Sequence, residues 1–312
     1  MKLAMVFPGQ GSQSPGMLKA YEGLPAIDAT VKEAAAVLGA DFAQLLEQGP
    51  AEALNLTVNT QPAMLTAGVA VYRAWRAAGG PAPTLIAGHS LGEYSALVAA
   101  EALSFADALP LARFRAEAMQ DAVPAGEGAM AAILNLDDDK VREACAEAAG
   151  SQVVQAVNFN APGQVVIAGH KDAVARAIEA CKARGSRRTM PLPVSAPFHS
   201  SLMQPAAERL RERLAFLELR RTKIDLINNV DVSVAREPGA IRDALVRQAA
   251  APVRWVETIR AMAAAGVTHV LECGPGKALA GMTKRIDGSL QSLTLADRAS
   301  FDQALAAMKD AT

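Results

Sequence analysis

Short apolar runs alternate along the chain with longer alanine-rich stretches whose apolar positions recur at helical spacing. The runs predict buried strands and the stretches predict packed helices. Leu3–Phe7, Thr84–Gly88 and Thr268–Glu272 read as strands. Thr57–Arg76, Glu93–Ala102 and Asp107–Ala122 read as helices, with Pro62 tolerated in the first turn of the first of them. The residues after about Asp297 read as a terminal helix. Strands alternating with helices predict an α/β fold with a mainly parallel sheet.

The middle of the chain follows another order. From Gly128 it reads strand (Ala129–Leu134), helix (Asp137–Ala149), strand (Val153–Asn158), strand (Gln164–Ala168), helix (Asp172–Arg184), strand (Arg187–Leu192). That β-α-β-β-α-β order is ferredoxin-like. Asn160-Ala161-Pro162-Gly163 supplies the hairpin turn between its two middle strands. The expected organisation is a large domain of residues 1–126 and 196–312 with a small subdomain, 127–195, inserted into it.

Composition narrows the function. A net charge of −1 over 312 residues makes no general field for nucleic acid or an anionic membrane. No apolar run is long enough and free enough of charge to span a bilayer. The opening MKLAMVFPGQG turns glycine-rich too soon for the apolar centre of a signal peptide, so a cytosolic protein is expected. Cys145, Cys181 and Cys273 are dispersed and odd in number, which favours neither a disulfide framework nor a metal knuckle.

The strongest local signal is Gly88-His89-Ser90-Leu91-Gly92, a G-x-S-x-G between a predicted strand and a predicted helix. In that context the serine stands on a sharp turn at the carboxyl edge of the sheet. Glycines flank it because a side chain there would collide across the turn. The helix that follows points its amino end at the serine and favours developing negative charge, with the Leu91 N–H as one oxyanion donor. The plain alternative is a glycine-flanked turn with an idle serine.

A serine hydroxyl needs a base to become a nucleophile. His89 is adjacent in a tight turn and should point away. His170 ends a small-subdomain strand, and His269 lies inside a predicted strand. His199 remains, in a loop that returns from the insertion, and stands as the candidate base beside the reading of it as an idle loop histidine. No acid is evident as a third member, and a main-chain carbonyl could orient the imidazole instead. On the helix Asp107–Ala122, Arg113 and Glu117 are spaced as an exposed ion pair. Arg115 instead falls on the apolar stripe Leu111, Arg115, Met119. Either an internal carboxylate neutralises it, or it faces a cavity and awaits an anionic ligand.

Taken together, Phe7-Pro8-Gly9-Gln10-Gly11-Ser12-Gln13, Gly88 to Ser95, Asn158 to Ile167, Pro197-Phe198-His199-Ser200 and Glu272-Cys273-Gly274-Pro275-Gly276-Lys277 resemble the malonyl-CoA:acyl carrier protein transacylases of bacterial type II fatty acid synthesis. The resemblance runs from the first strand to the last. It implies an α/β-hydrolase-like large domain with a ferredoxin-like insertion, Ser90 as nucleophile and His199 as base. It implies Gln10 and Leu91 as backbone oxyanion donors and Arg115 as the holder of the malonyl carboxylate. It implies Gln248 beside the histidine, with a main-chain carbonyl there accepting the imidazole N–H, and Phe198 as a bulky residue that crowds branched acyl chains.

The implied reaction is ping-pong. Malonyl-CoA acylates Ser90, and the phosphopantetheine thiol of an acyl carrier protein then takes the malonyl group. No bound cofactor or metal is expected, and a monomer is expected. An acidic carrier would meet Lys182, Arg184, Arg187 and Arg188, or Lys284 and Arg285. The rivals are the same transfer serving a polyketide or malonate-handling carrier, a serine thioesterase or hydrolase, and an inactive carrier-binding scaffold. Gly274-Pro275-Gly276-Lys277 lacks the spacing of a phosphate loop and reads as a tight strand-to-helix turn near the site.

Overall fold

The structure, a computed structural model, describes residues 1–194 and 196–310. Ser195, the expected last residue of the insertion, lies outside the described residues, as do Ala311 and Thr312. Its strands are β1 (Leu3–Phe7), β2 (Leu85–Gly88), β3 (Gly128–Leu134), β4 (Val154–Ala161), β5 (Gln164–His170), β6 (Arg188–Pro191), β7 (Asp225–Leu226), β8 (His269–Glu272) and β9 (Gln291–Thr294). Its helices are α1 (Pro25–Leu38), α2 (Ala40–Gln48), α3 (Ala51–Leu54), α4 (Thr57–Ala77), α5 (Gly92–Ala99), α6 (Phe105–Asp121), α7 (Asp138–Ala149), α8 (Lys171–Ala183), α9 (Gln204–Ala215), α10 (Pro238–Ala249), α11 (Trp255–Ala264), α12 (Ala278–Ile286) and α13 (Arg298–Asp310).

Two sheets form. The larger is fully parallel, in the order β7-β2-β1-β8-β9. All five residues of β1 and all four of β2 are buried, as expected of strands covered on both faces. Met5 and Phe7 face the larger core with α4 and α5, while Ala4 and Val6 face a second core with α11. The smaller sheet is antiparallel, in the order β4-β5-β3-β6, with α7 and α8 packed on one face. An α/β fold with a parallel sheet and a four-stranded antiparallel subdomain is the architecture expected.

Several elements depart from expectation. β4 runs three residues beyond Asn158, so the hairpin turn shrinks to Pro162-Gly163, with Gly163 at φ +68°. Asn160 therefore belongs to a strand, as Asn158 was expected to. Pro62 lies in the second turn of α4, where its missing N–H costs the ladder a bond. β7 and β9 were not expected; β7 has only two residues, too few for periodicity to show. No helix among the described residues is long and apolar enough to cross a membrane.

The parallel sheet sets the position of everything that follows. The loops after β1, β2, β7 and β8 all leave its carboxyl edge, where open α/β sheets build their sites. They carry Gln10, Ser90, Asn229 and Gly274-Pro275-Gly276. The segment before α11 then pairs with the smaller sheet: Val253 N–H donates to Val157 O at 2.8 Å and Phe159 N–H to Val253 O at 3.0 Å. That pairing holds the antiparallel sheet over the carboxyl edge.

Candidate active site

Ser90 sits between β2 and α5 at φ +52°, a left-handed conformation uncommon for a residue with a side chain. The glycines around it are required by space. A Cβ on Gly88 would overlap the Gly92 carbonyl group, and one on Gly92 would overlap the Phe7 carbonyl oxygen. Asn229 braces the turn: Ser90 N–H donates to its Oδ1 at 2.8 Å, and its Nδ2 donates to Gly88 O at 2.7 Å.

His199 is the histidine that reaches the serine. Its Nε2 lies 2.7 Å from Ser90 Oγ and its Nδ1 2.9 Å from the main-chain oxygen of Gln248. A carbonyl oxygen only accepts, so Nδ1 carries the proton and Nε2 is free to accept from the serine hydroxyl. The ring is 4% exposed. Burial, and the Arg115 cation next, push its pKa down to about 3, so the imidazole is neutral at pH 7. His199, like Ser90, has a left-handed backbone, at φ +66°. Strain of about 1–3 kcal/mol per such residue is held by the surrounding structure. The other histidines are engaged elsewhere. His170 Nδ1 accepts from Val153 N–H at 3.0 Å, and His269 Nδ1 meets Thr268 Oγ1 at 2.8 Å. His89 lines the cavity but pairs with Asn160 Oδ1 at 2.8 Å.

Arg115 projects from α6 and is only 2% exposed, more deeply buried than its stripe position required. Its Nη1 donates to Gln61 Oε1 at 2.8 Å, and its Nη2 to Gln248 Oε1 at 2.9 Å and to Ser90 Oγ at 3.2 Å. Among the described residues its buried Nε has no hydrogen-bond partner. Among the described residues no carboxylate comes within ion-pair distance of it. Of the two readings open from the sequence, the internal ion pair is absent. Arg113 lies over the Phe42 ring at 5.9 Å in place of the expected pair with Glu117.

These groups open onto a cavity of about 200 Å³ at the carboxyl edge. Gln10, Ser90, Leu91, Arg115 and His199 line it, together with Met130, Asn158, Asn160, Val166, Leu192, Val194 and Phe198. Phe198 packs with Met190, Leu192 and Val194 in the apolar cluster of the smaller sheet. All seven residues singled out from the sequence meet here; Gln248 lies behind the wall and touches both Arg115 and His199. Among the described residues, neither Gln10 N–H nor Leu91 N–H donates to another backbone group. Five polar residues were not singled out: Gln61, Glu93, Asn158, Asn160 and Asn229. Glu93 and the two β4 asparagines stand inside quoted motifs, and the pair Asn228-Asn229 directly after an apolar run was a usable signal.

Residues 4–293 match the acyl transferase domain family. The chain is 54% identical over 305 residues to the malonyl CoA-acyl carrier protein transacylase of Escherichia coli, covering 97% of this chain and 99% of that one. The chain belongs to the malonyl CoA-acyl carrier protein transacylase family. Among solved structures of the transacylase family, the acyl-carrier-protein S-malonyltransferase of Burkholderia pseudomallei superposes with a TM-score of 0.96 at 61% identity, covering 98% of this chain and all of that one. A malonyl-transacylase solved with its type II polyketide acyl carrier protein superposes at 0.97 with 50% identity, covering 98% and 100%.

The positive groups proposed for a carrier differ in how far they are committed. Lys182 pairs with Glu179 and Arg184 with Glu147. Arg285 donates to Gln164 Oε1 at 2.6 Å and to Pro162 O at 3.1 Å, tying α12 to the β4–β5 hairpin. Lys284, Arg187 and Arg188 are exposed.

Proposed function

We propose that this chain transfers the malonyl group from malonyl-CoA to the phosphopantetheine thiol of an acyl carrier protein and so supplies fatty acid synthesis. Family membership supports the reaction. One observation carries the assignment of residues: a buried guanidinium with no carboxylate partner lies 3.2 Å from a serine hydroxyl that is itself 2.7 Å from a neutral imidazole.

Ser90 Oγ attacks the thioester carbon as its proton passes to His199 Nε2. The carbonyl oxygen becomes an oxyanion facing the N–H groups of Gln10 and Leu91, and the CoA thiolate leaves with the proton from His199. The carrier thiol repeats the sequence on the malonyl ester, giving its proton to His199, and Ser90 Oγ recovers it as leaving group. Arg115 holds the free carboxylate through its forked donors. That pairing also shields His199 from the cation and strengthens it as a base. Phe198 narrows the acyl end of the cavity against a branched chain. Of the described residues, those within 1–126 and 196–312 form the large domain, and those within 127–195 form the insertion that roofs the site.

One chain supplies every group, so a monomer suffices, and its water-soluble substrates suit the cytosol. Incubation with malonyl-CoA followed by peptide mapping tests the reading. Malonate on Ser90, absent from Ser90→Ala, is expected. A label on another residue overturns the assignment, and rapid release of free malonate with no thiol acceptor marks a hydrolase. Because a relative at 50% identity was solved with a polyketide carrier, transfer to fatty acid and polyketide carriers should be compared directly.

A further inference from the structure

Glu93, in the first turn of α5, is 1% exposed and does not line the cavity. Its Oε2 accepts Asn229 N–H at 3.0 Å and Gln248 Nε2 at 2.9 Å. Those two residues reach the reacting groups from behind. Asn229 holds the Ser90 turn. Gln248 touches Arg115 through Oε1, Ser90 O through Nε2 at 3.1 Å, and His199 through its main-chain oxygen. One carboxylate thus stands behind the whole site.

Among the described residues Glu93 has no cation within ion-pair distance, as Arg115 has no anion. A buried guanidinium and a buried carboxyl are separated by a single amide whose two ends they grip. Unpaired buried charges are costly, so each is the other's compensation across Gln248. The arrangement changes when an acyl group carrying a carboxylate reaches Arg115: one cation then serves two anions. Resting on the reading of Arg115 as the carboxylate holder, we propose that Glu93 is the resting counter-ion of Arg115 and tempers the grip of the site on malonyl. It is a positioning residue that touches no reacting atom. Its charge compensates Arg115 when the site is empty or holds a neutral acyl group. It then opposes the arriving carboxylate, which keeps malonyl from being held too tightly to move on.

The groups facing Glu93 are Arg115 from α6, Asp231 beyond β7, Gln248 from α10, Asn229, and Tyr94 on its own helix. Asp231 is itself paired with Arg247 at 2.6 Å. Burial lifts the Glu93 pKa to about 7, against the lowering effect of Gln248, Asn229 and Arg115. Its charge therefore grows between pH 6 and 8.

The test is the ratio of kcat/KM for malonyl-CoA to that for acetyl-CoA. Glu93→Gln keeps a carbonyl acceptor for both N–H groups and removes the charge. The ratio is expected to rise about threefold to tenfold, since malonyl sheds the repulsion of Glu93 while acetyl, like the empty site, brings no anion for that charge to oppose. A merely structural role lowers both substrates alike, and an unchanged or lowered ratio overturns the proposal. Should that variant fail to fold, the wild-type ratio decides. It is expected to fall as pH rises from 6 to 8, and a constant ratio overturns the proposal. Arg115→Ala measured alongside separates the two readings: if that variant keeps the wild-type malonyl preference, the carboxylate role of Arg115 fails first.

Discussion

Arg115 shows how much one side chain decides. A guanidinium whose protein partners are amides and a hydroxyl keeps most of its charge available for a ligand. An acetyl group leaves that charge without its second anion, whereas malonyl satisfies it. Arg115→Ala is expected to lower malonyl transfer by about 10²- to 10⁴-fold and to raise the acetyl share of acyl-enzyme. Mass spectra of the protein after incubation with both thioesters read the share directly, and an unchanged malonyl excess removes the assignment. His199 supports a second expectation. With its pKa near 3, the ring stays neutral through mildly acidic solution, so the acid limb of kcat/KM with acetyl-CoA should fall well below the 6.5 of a free histidine. A limb centred near 6.5 would mean a hydrated imidazole.

At the scale of elements, helix amino ends do much of the positioning. α5 begins against β1 with no space between them, which is why Gly92 has no side chain. Gly92→Ala should displace the start of α5 together with the Leu91 N–H. It is expected to cost about 1–3 kcal/mol of stability and most of the activity. Thermal melting and malonyl transfer read the two losses, and a variant unaltered in both would refute the packing reason. α12 gives the opposite case, a helix start that accepts a buried acid. Glu272 is fully buried, with Oε2 accepting Ala280 N–H at 2.7 Å and Oε1 unpartnered. Burial raises its pKa to about 7, with the Ala280 and Leu279 N–H groups opposing. A carboxyl raised above its ordinary value of 4.5 contributes stability that is complete below 4.5 and lost as pH rises through 7. Glu272→Gln removes that dependence, so its stability relative to wild type should improve between pH 5 and 8. Denaturant midpoints at the two pH values check it, and an equal difference at both contradicts it.

At the scale of the molecule, the site exists because one sheet roofs the carboxyl edge of the other. Val253 and Arg285 make that junction, so Arg285 has a structural task besides any docking role. Lys284 is the cleaner probe of the carrier surface. Lys284→Glu is expected to slow transfer to an acidic carrier while leaving formation of the malonyl-enzyme unchanged, with a difference that shrinks as salt is added. Pre-steady-state loading and carrier titration separate the two steps. Equal carrier transfer by both proteins would discard Lys284 as a contact.

Much of this was legible along the chain, because those features obey short-range rules. Apolar spacing identified the main strands and helices, steric need explained the glycines of the Ser90 turn, and one charge on an apolar stripe marked Arg115. The sequence by itself determined the order of the elements and the nucleophile turn. The resemblance carried by the motifs implied His199 and Gln248, but how closely they approach Ser90, and that Gln61, Asn229 and Glu93 surround them, were decided only by tertiary structure. Those groups lie between 49 and 158 residues from the partners they touch, the limits being Gln248 from His199 and Gln248 from Ser90. No local spacing encodes such a meeting. It arises when strands from distant parts of the chain register in one sheet and their carboxyl ends come together.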